Sequence, residues 1–214
     1  MLVGKRMSSN PITITPDFPI AEALDKMRRD KVRRFPVLNK KGELVGIVAN
    51  DDLLYASPSP ATSLSMWEIS YLLSKVQVKE VMTKEVITVT EDCPIEEAAR
   101  LMRDNKIGGL PVMRDDMVVG IITESDLFDV FLELFGAREK GTRMTVLAPY
   151  FKGSLAQISS AITEKGGNIL ALNTFLGKDP SNWGCTLKVA DISKEELVAV
   201  IKPLVIKIVD AREM

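Results

Sequence analysis

One strand-and-turn pattern is written twice in this chain: residues 46–53 read GIVANDDL and residues 120–127 read GIITESDL. The duplication runs far upstream of both. Met7 corresponds to Met82, Ile12-Thr13 to Ile87-Thr88, Pro19-Ile20 to Pro94-Ile95, Met27-Arg28 to Met102-Arg103, and Pro36-Val37 to Pro111-Val112. The register slips by one residue where the turn NKKGE faces the shorter RDDM. Self-similarity of this kind marks one supersecondary unit built twice and packed against itself.

Each copy reads as strand, helix, strand, turn, strand, helix. PITIT (11–15) and VITVT (86–90) are short β-branched runs that predict strands. Pro19 and Pro94 suit the first turn of a helix, where a missing N–H is no loss. Ile20, Ala23, Leu24 and Met27 then recur at helical spacing and make one apolar stripe. RFPVLN and ELVGIVA predict a hairpin around NKKG, and GLPVM and MVVGIIT predict another around RDD. A second helix is expected from Asp51 and from Asp126, with Met27, Met102 and Met113 as core fillers.

Between the copies, Ser57 to Pro60 break the chain, and residues 62–75 predict an amphipathic linker helix with Leu64, Trp67, Ile69, Tyr71 and Leu72 for packing. After residue 138 the pattern changes. TRMTVLAP is a strand and GSLAQISSAITEKGG is a helix with Leu155, Ile158 and Ile162 on one face. NILALNTF and GCTLKVA are strands, SKEELVAVIKPL is a helix with Ser193 and Glu196 at capping-box positions, and VIKIVDAR is a closing strand. This βαββαβ order gives an antiparallel sheet with helices on one face.

Composition removes whole classes of function. Lys and Arg number 28 against 29 Asp and Glu, so no field of one sign exists to hold nucleic acid or an anionic membrane. The chain has no histidine, which excludes imidazole-based triads and dyads and the commonest nitrogen metal ligand. Cys93 and Cys185 lie far apart with no CxxC spacing, so a metal site or disulfide framework is not expected and both are read as reduced, partly buried thiols. Neither GxxxxGK[ST] nor GxGxxG occurs. Apolar runs are too short to span a bilayer, and MLVGKRMSSNP lacks the apolar stretch of a signal peptide, so the expected location is cytoplasmic.

These motifs resemble known families. The helix-start Pro, the FPV and LPV strands and the doubled Gly-Ile-x-x-x-x-Asp-Leu turn, over roughly residues 1–138, are similar to tandem CBS domains. The tail, through GSLAQISSAITEKGGNI, resembles an ACT domain, and the whole order is similar to CBS–ACT proteins of the acetoin-utilisation type. The resemblance implies an α/β (α+β) chain: a pseudo-two-fold CBS pair plus a ferredoxin-like ACT domain. The expected divisions are 1–60 and 79–138 for the CBS repeats, 61–78 for the linker, and 139–214 for the ACT domain. CBS pairs of this kind usually bind adenosine nucleotides between the repeats. ACT domains usually pair through their sheets, and some bind an amino acid at the pair interface.

With a nucleotide in view, the two turns are unequal. An ionised Asp126 offers acceptors for the adjacent 2′- and 3′-hydroxyls of a ribose; Thr123 and Ser125 supply hydroxyls; the helix N-terminus favours phosphate. Gly120 permits close backbone approach. The competing reading is that Ser125 or Asp126 merely caps the helix. GIVANDDL keeps Asp52 but has Ala49 in place of the threonine, and Asp51 adds a second carboxylate, so that site is expected to be weaker or empty. The resemblance implies that each site is completed by the other repeat. Met7, Pro11, Ile12 and Val32 join the Asp126 site, while Met82, Val86, Ile87, Ile107 and Gly108 join the Asp52 site. It also implies that basic residues at the strand start reach phosphates; Arg33 and Arg34 stand where the second copy has Gly108 and Gly109. Strand alternation predicts that one of the two arginines faces the cleft, with a solvated surface pair as the competing reading. In the tail, the resemblance borders an amino-acid pocket with Gly153, Ser154, Leu155, Asn168 and Ile169; Tyr150, Phe151 and Lys152 depart from the usual form.

The expectation is a non-catalytic regulatory sensor that requires no cofactor or metal. It binds AMP, ADP or ATP, with S-adenosylmethionine as a competitor to test, and forms a homodimer through both domain types. An amino-acid-responsive ACT regulator with a degenerate CBS pair is the alternative. A nucleotide-processing enzyme and a nucleic-acid binder rank behind both.

Overall fold

The computed structural model describes residues 1–56, 75–177 and 179–214. The linker helix expected over 62–75 falls, but for its last residue, outside the described residues. The described chain divides into two compact units, Met1–Leu127 and Phe128–Met214. Sheets and helices make a mixed α+β protein. Among the described residues no helix is long and apolar enough to cross a membrane.

In the first unit, strand β1 (Ser8–Ser9) precedes helix α1 (Ile20–Asp30), the β2–β3 hairpin (Arg34–Leu38, Leu44–Ala49), α2 (Asn50–Tyr55) and the short α3 (Val78–Val81). The second repeat gives β4 (Val89–Thr90), α4 (Ile95–Asn105), the β5–β6 hairpin (Gly109–Arg114, Met117–Thr123) and the start of α5 (Glu124–Leu134). Both hairpins arise where expected. Their turns differ as the lost residue requires. Asn39 Oδ1 accepts from the backbone N–H groups of Lys41 and Glu43, and Gly42 takes φ +83°; in the shorter turn Asp115 takes φ +53°.

Pro19 and Pro94 stand at the N-caps of α1 and α4, one position before the first helical residue. Each helix ends on a lysine in the left-handed region, Lys31 at φ +55° and Lys106 at φ +56°. The apolar stripe is buried as its spacing requires: Ile20, Ala23, Leu24 and Met27 join Phe35, Val37, Val48 and Leu53 in one cluster. Two of the expected strands are much reduced. PITIT keeps only an isolated bridge from Ile14 to Val37, and VITVT keeps only Val89–Thr90, parallel to β5. Pro11 lacks a donor, and Pro16 restricts the residue before it. The second helices also begin earlier than expected, at Asn50 and Glu124.

The second unit is a four-stranded antiparallel sheet in the order β10-β7-β9-β8 (Lys207–Glu213, Thr142–Pro149, Asn182–Ala190, Asn168–Leu176). Helices α6 (Ser154–Glu164) and α7 (Lys194–Ile201) supply Ile158, Ile162, Leu197 and Ile201 to its core. This is the βαββαβ order of the sequence. The capping box is present: the Glu196 N–H donates to Ser193 Oγ at 3.2 Å. Cys185 is wholly buried in this core, and burial pushes its thiol up to about 11. Cys93 is half-buried.

Candidate functional site: a cleft between the two repeats

The N-terminal segment of repeat one crosses to the sheet of repeat two. Ser8 and Ser9 pair antiparallel with Ile121 and Gly120 of β6, giving the sheet order β1-β6-β5-β4. The equivalent segment of repeat two crosses back, where Thr83 bridges Ile47 of β3. Each crossing brings a methionine over a glycine. A side chain on Gly120 would collide with the Met7 thioether, and one on Gly46 with that of Met82. Gly120 therefore makes room for Met7 rather than for a ligand backbone approach. Met7 and Met82 line neither cavity described below.

The first cavity, of 510 Å³, is lined by Pro11, Ile12, Val32, Arg33, Arg34, Thr123, Ser125 and Asp126, with Lys31 and Glu124 beside them. This volume lies within the usual range of small-molecule sites, about 300–1,000 Å³. Both repeats contribute, because β1 and the α1–β2 connection meet the start of α5 here. The Thr123 N–H and hydroxyl both donate to Asp126 Oδ2, at 2.7 and 2.8 Å. One carboxylate oxygen thus holds the start of its own helix, and Oδ1 takes no hydrogen bond from the described residues. The capping and ligand readings of Asp126 do not exclude each other. The Thr123 hydroxyl is committed to that carboxylate, which differs from the expectation that it faces sugar or phosphate.

The second cavity, of 430 Å³, is lined by Ala49, Asp52, Val86, Ile87, Ile107 and Gly108, together with Arg34, Asp51 and Lys106. The Ala49 N–H donates to Asp52 Oδ2 at 2.8 Å. Alanine has no hydroxyl to add the second bond, so Asp52 is held by one contact where Asp126 is held by two. Ala49→Thr is expected to supply that bond. It should raise the unfolding free energy by about 1 kcal/mol, the usual worth of a threonine at a helix start, as measured by urea denaturation.

A third recess of 650 Å³ shares lining residues with both, and is lined by Arg33, Arg34, Asn50, Asp51, Arg103, Lys106 and Glu124 among others. Arg34 lines all three spaces. Its guanidinium lies across Gly108 and Gly109; a side chain on Gly108 would stand 2.6 Å from Nη2. Its Nε is buried and takes no partner among the described residues. Burial pulls the Arg34 guanidinium below its ordinary value; Glu124, Asp51 and Asp52 oppose this, and Arg33 adds to it. It remains a cation at neutral pH. Both Arg33 and Arg34 line the cleft, where alternation allows only one. Strand β2 begins at Arg34, so Arg33 precedes the pleat and is free of its alternation.

The CBS domain model matches residues 3–59 and 78–133, the two repeats and little else. The chain belongs to the CBS-domain family. An uncharacterized protein of Methanocaldococcus jannaschii is 33% identical over 155 residues, 62% of this chain and 92% of that protein. The CBS domain pair of protein MJ0100, solved in complex with 5′-methylthioadenosine and S-adenosyl-L-methionine, is similar at 30% identity and a TM-score of 0.52; the match covers 65% of this chain and 98% of that one. A candidate acetoin utilization protein (AcuB) from Vibrio cholerae is similar at 30% identity and a TM-score of 0.53, covering 64% of this chain and 95% of its own.

Within the CBS pair, Lys31, Lys106, Glu124 and Arg103 also face the cleft and were not singled out by sequence reasoning. The signal for the lysines lay in the aligned KVRR and KIGG: each lysine ends an amphipathic helix and must turn the chain through a left-handed residue. In the second unit, Gly153 (φ +96°) turns the chain into α6, and the buried Ser154 hydroxyl accepts from the Trp183 indole N–H at 3.0 Å. Leu155 is exposed; Asn168 and Ile169 open β8.

Proposed function

We propose that the protein is a non-catalytic, cytoplasmic sensor that binds an adenine nucleotide, AMP, ADP or ATP, in the cleft of its CBS pair. The observation that carries this reading is the half-engaged Asp126 carboxylate at the wall of the first cavity. Its free oxygen suits a ribose diol. Pro11, Ile12 and Val32 offer apolar contact to a base, and Arg33 and Arg34 offer charge to a phosphate. The adenosine compounds held by the CBS pair of MJ0100 support the same ligand class. Binding shifts a conformational equilibrium only to the extent that two states differ in affinity. The Asp52 cavity is the weaker site in this reading.

The second unit is an ACT domain in this account, and its role is dimerisation. Strand β8 is an edge of the sheet and exposes Leu170, Phe175 and Leu176, a surface suited to a second copy. The Ser154 contact to Trp183 occupies a hydroxyl that an amino-acid site would use. Thermal unfolding with added ligands tests the proposal. A nucleotide at a hundredfold excess over its Kd should stabilise the protein by about 2.7 kcal/mol. Stabilisation by amino acids alone, with no adenosine compound bound at millimolar concentration, would replace this reading with the amino-acid one.

A further inference from the structure

The two repeats share most of the features that build the cleft, and besides the turn residues Ala49 and Thr123 they differ at the start of the first hairpin strand. Lys31-Val32 and Lys106-Ile107 are equivalent, but Arg33-Arg34 faces Gly108-Gly109. A symmetric pair would give each end its own guanidinium. Here the second repeat gives up its side chains and the Arg34 guanidinium fills that space, bordering the Asp126 cavity, the Asp52 cavity and the third recess. No side chain of the second repeat mirrors it. Its buried Nε has no partner among the described residues, so the protein leaves it poised rather than tied to either end.

We infer that the two ends of the cleft are antagonistically coupled through Arg34, a single cation that an anionic ligand at one end withdraws from the other. The inference rests on the nucleotide reading above. A planar guanidinium can grip one phosphate bidentately but cannot present its fork to two phosphates on opposite sides. The first phosphate bound takes the fork, and the second arrives at an end left with Lys106 as its cation, facing Asp51 and Asp52. The coupling therefore follows ligand charge. Nucleoside phosphates compete through Arg34, whereas neutral nucleosides fill the two ends independently.

Calorimetric titration of the full chain with AMP and with adenosine tests this. In Asp126→Ala, which weakens the first cavity so that the Asp52 end fills without a phosphate opposite it, AMP should bind the Asp52 end about tenfold more tightly than it does as the second event in the wild type, the usual worth of one charge-assisted contact. Adenosine should show no such gain. Combining Asp126→Ala with Arg34→Ala should abolish the AMP gain, which isolates the coupling to that side chain. The wild type gives a reading that needs no variant: its two AMP constants should differ by about tenfold more than its two adenosine constants. An AMP constant at the Asp52 end unchanged by Asp126→Ala, or no AMP binding there at all, would overturn the coupling while leaving the nucleotide site intact. No AMP binding to the wild type would overturn both.

Discussion

Asp126→Ala is expected to weaken the tighter AMP-binding event by at least about a hundredfold, whereas Asp52→Ala should leave that event nearly unchanged. Two hydroxyls donating to one carboxylate are each worth about 1.5–3 kcal/mol, and 1.4 kcal/mol is a factor of ten. The carboxylate also holds the start of α5 through Thr123, so the alanine variant should lose about 1 kcal/mol of stability as well. Asp126→Asn separates the two effects. It keeps a carbonyl oxygen for the helix start but gives up the charge that a ribose diol would meet. Calorimetry should show its affinity for AMP reduced while its urea midpoint moves little. Equal losses of AMP affinity in Asp126→Ala and Asp52→Ala would contradict the ranking of the two cavities.

The second large effect concerns the core beneath the site. Phe35 is fully buried, pairs across the hairpin with Val48, and packs with Ile14, Ile20, Met27 and Leu53. Phe35→Ala removes that contact area and leaves a cavity, which costs about 3–5 kcal/mol. Equilibrium denaturation in urea should show this as a lower midpoint for the first unit. Tyr55, 90% exposed, is the control, and its replacement by alanine should change stability by no more than about 0.5 kcal/mol. Because Arg34 adjoins Phe35 on β2, the core variant should also lose nucleotide affinity. A variant that unfolds at the wild-type midpoint would show that this cluster is not what stabilises the first repeat.

Much of this arrangement was legible in the residues, for identifiable reasons. The βαββαβ order of the second unit could be read because each element there carries its own strong signal: alternation in TRMTVLAP, a helical stripe ending in Gly-Gly, and the Ser193–Glu196 box. The repeats were visible because duplication doubles every weak signal. What escaped was the pairing between repeats. Ser8 and Ser9 form a strand only because β6 of the other repeat offers an edge, and no local pattern marks them. PITIT, by contrast, carries a strong local strand signal, but in the folded chain it keeps a single bridge.

The site divided along the same line. Asp126, Ile12 and Val32 could be placed by motif and repeat, whereas the roles of Gly120 and Thr123 turned on partners that only the folded chain supplies. The asymmetry of Arg34 against Gly109 was plain in the alignment. That one guanidinium borders both ends of the cleft required the structure.

The most direct measurement is a crystal structure of the protein grown with AMP. The account predicts a ribose whose two hydroxyls donate to the Asp126 carboxylate, with adenine between Ile12 and Val32 and phosphate on Arg33 or Arg34. A nucleotide bound elsewhere, or a cleft closed over an Asp126 turned entirely toward its own helix, would contradict it.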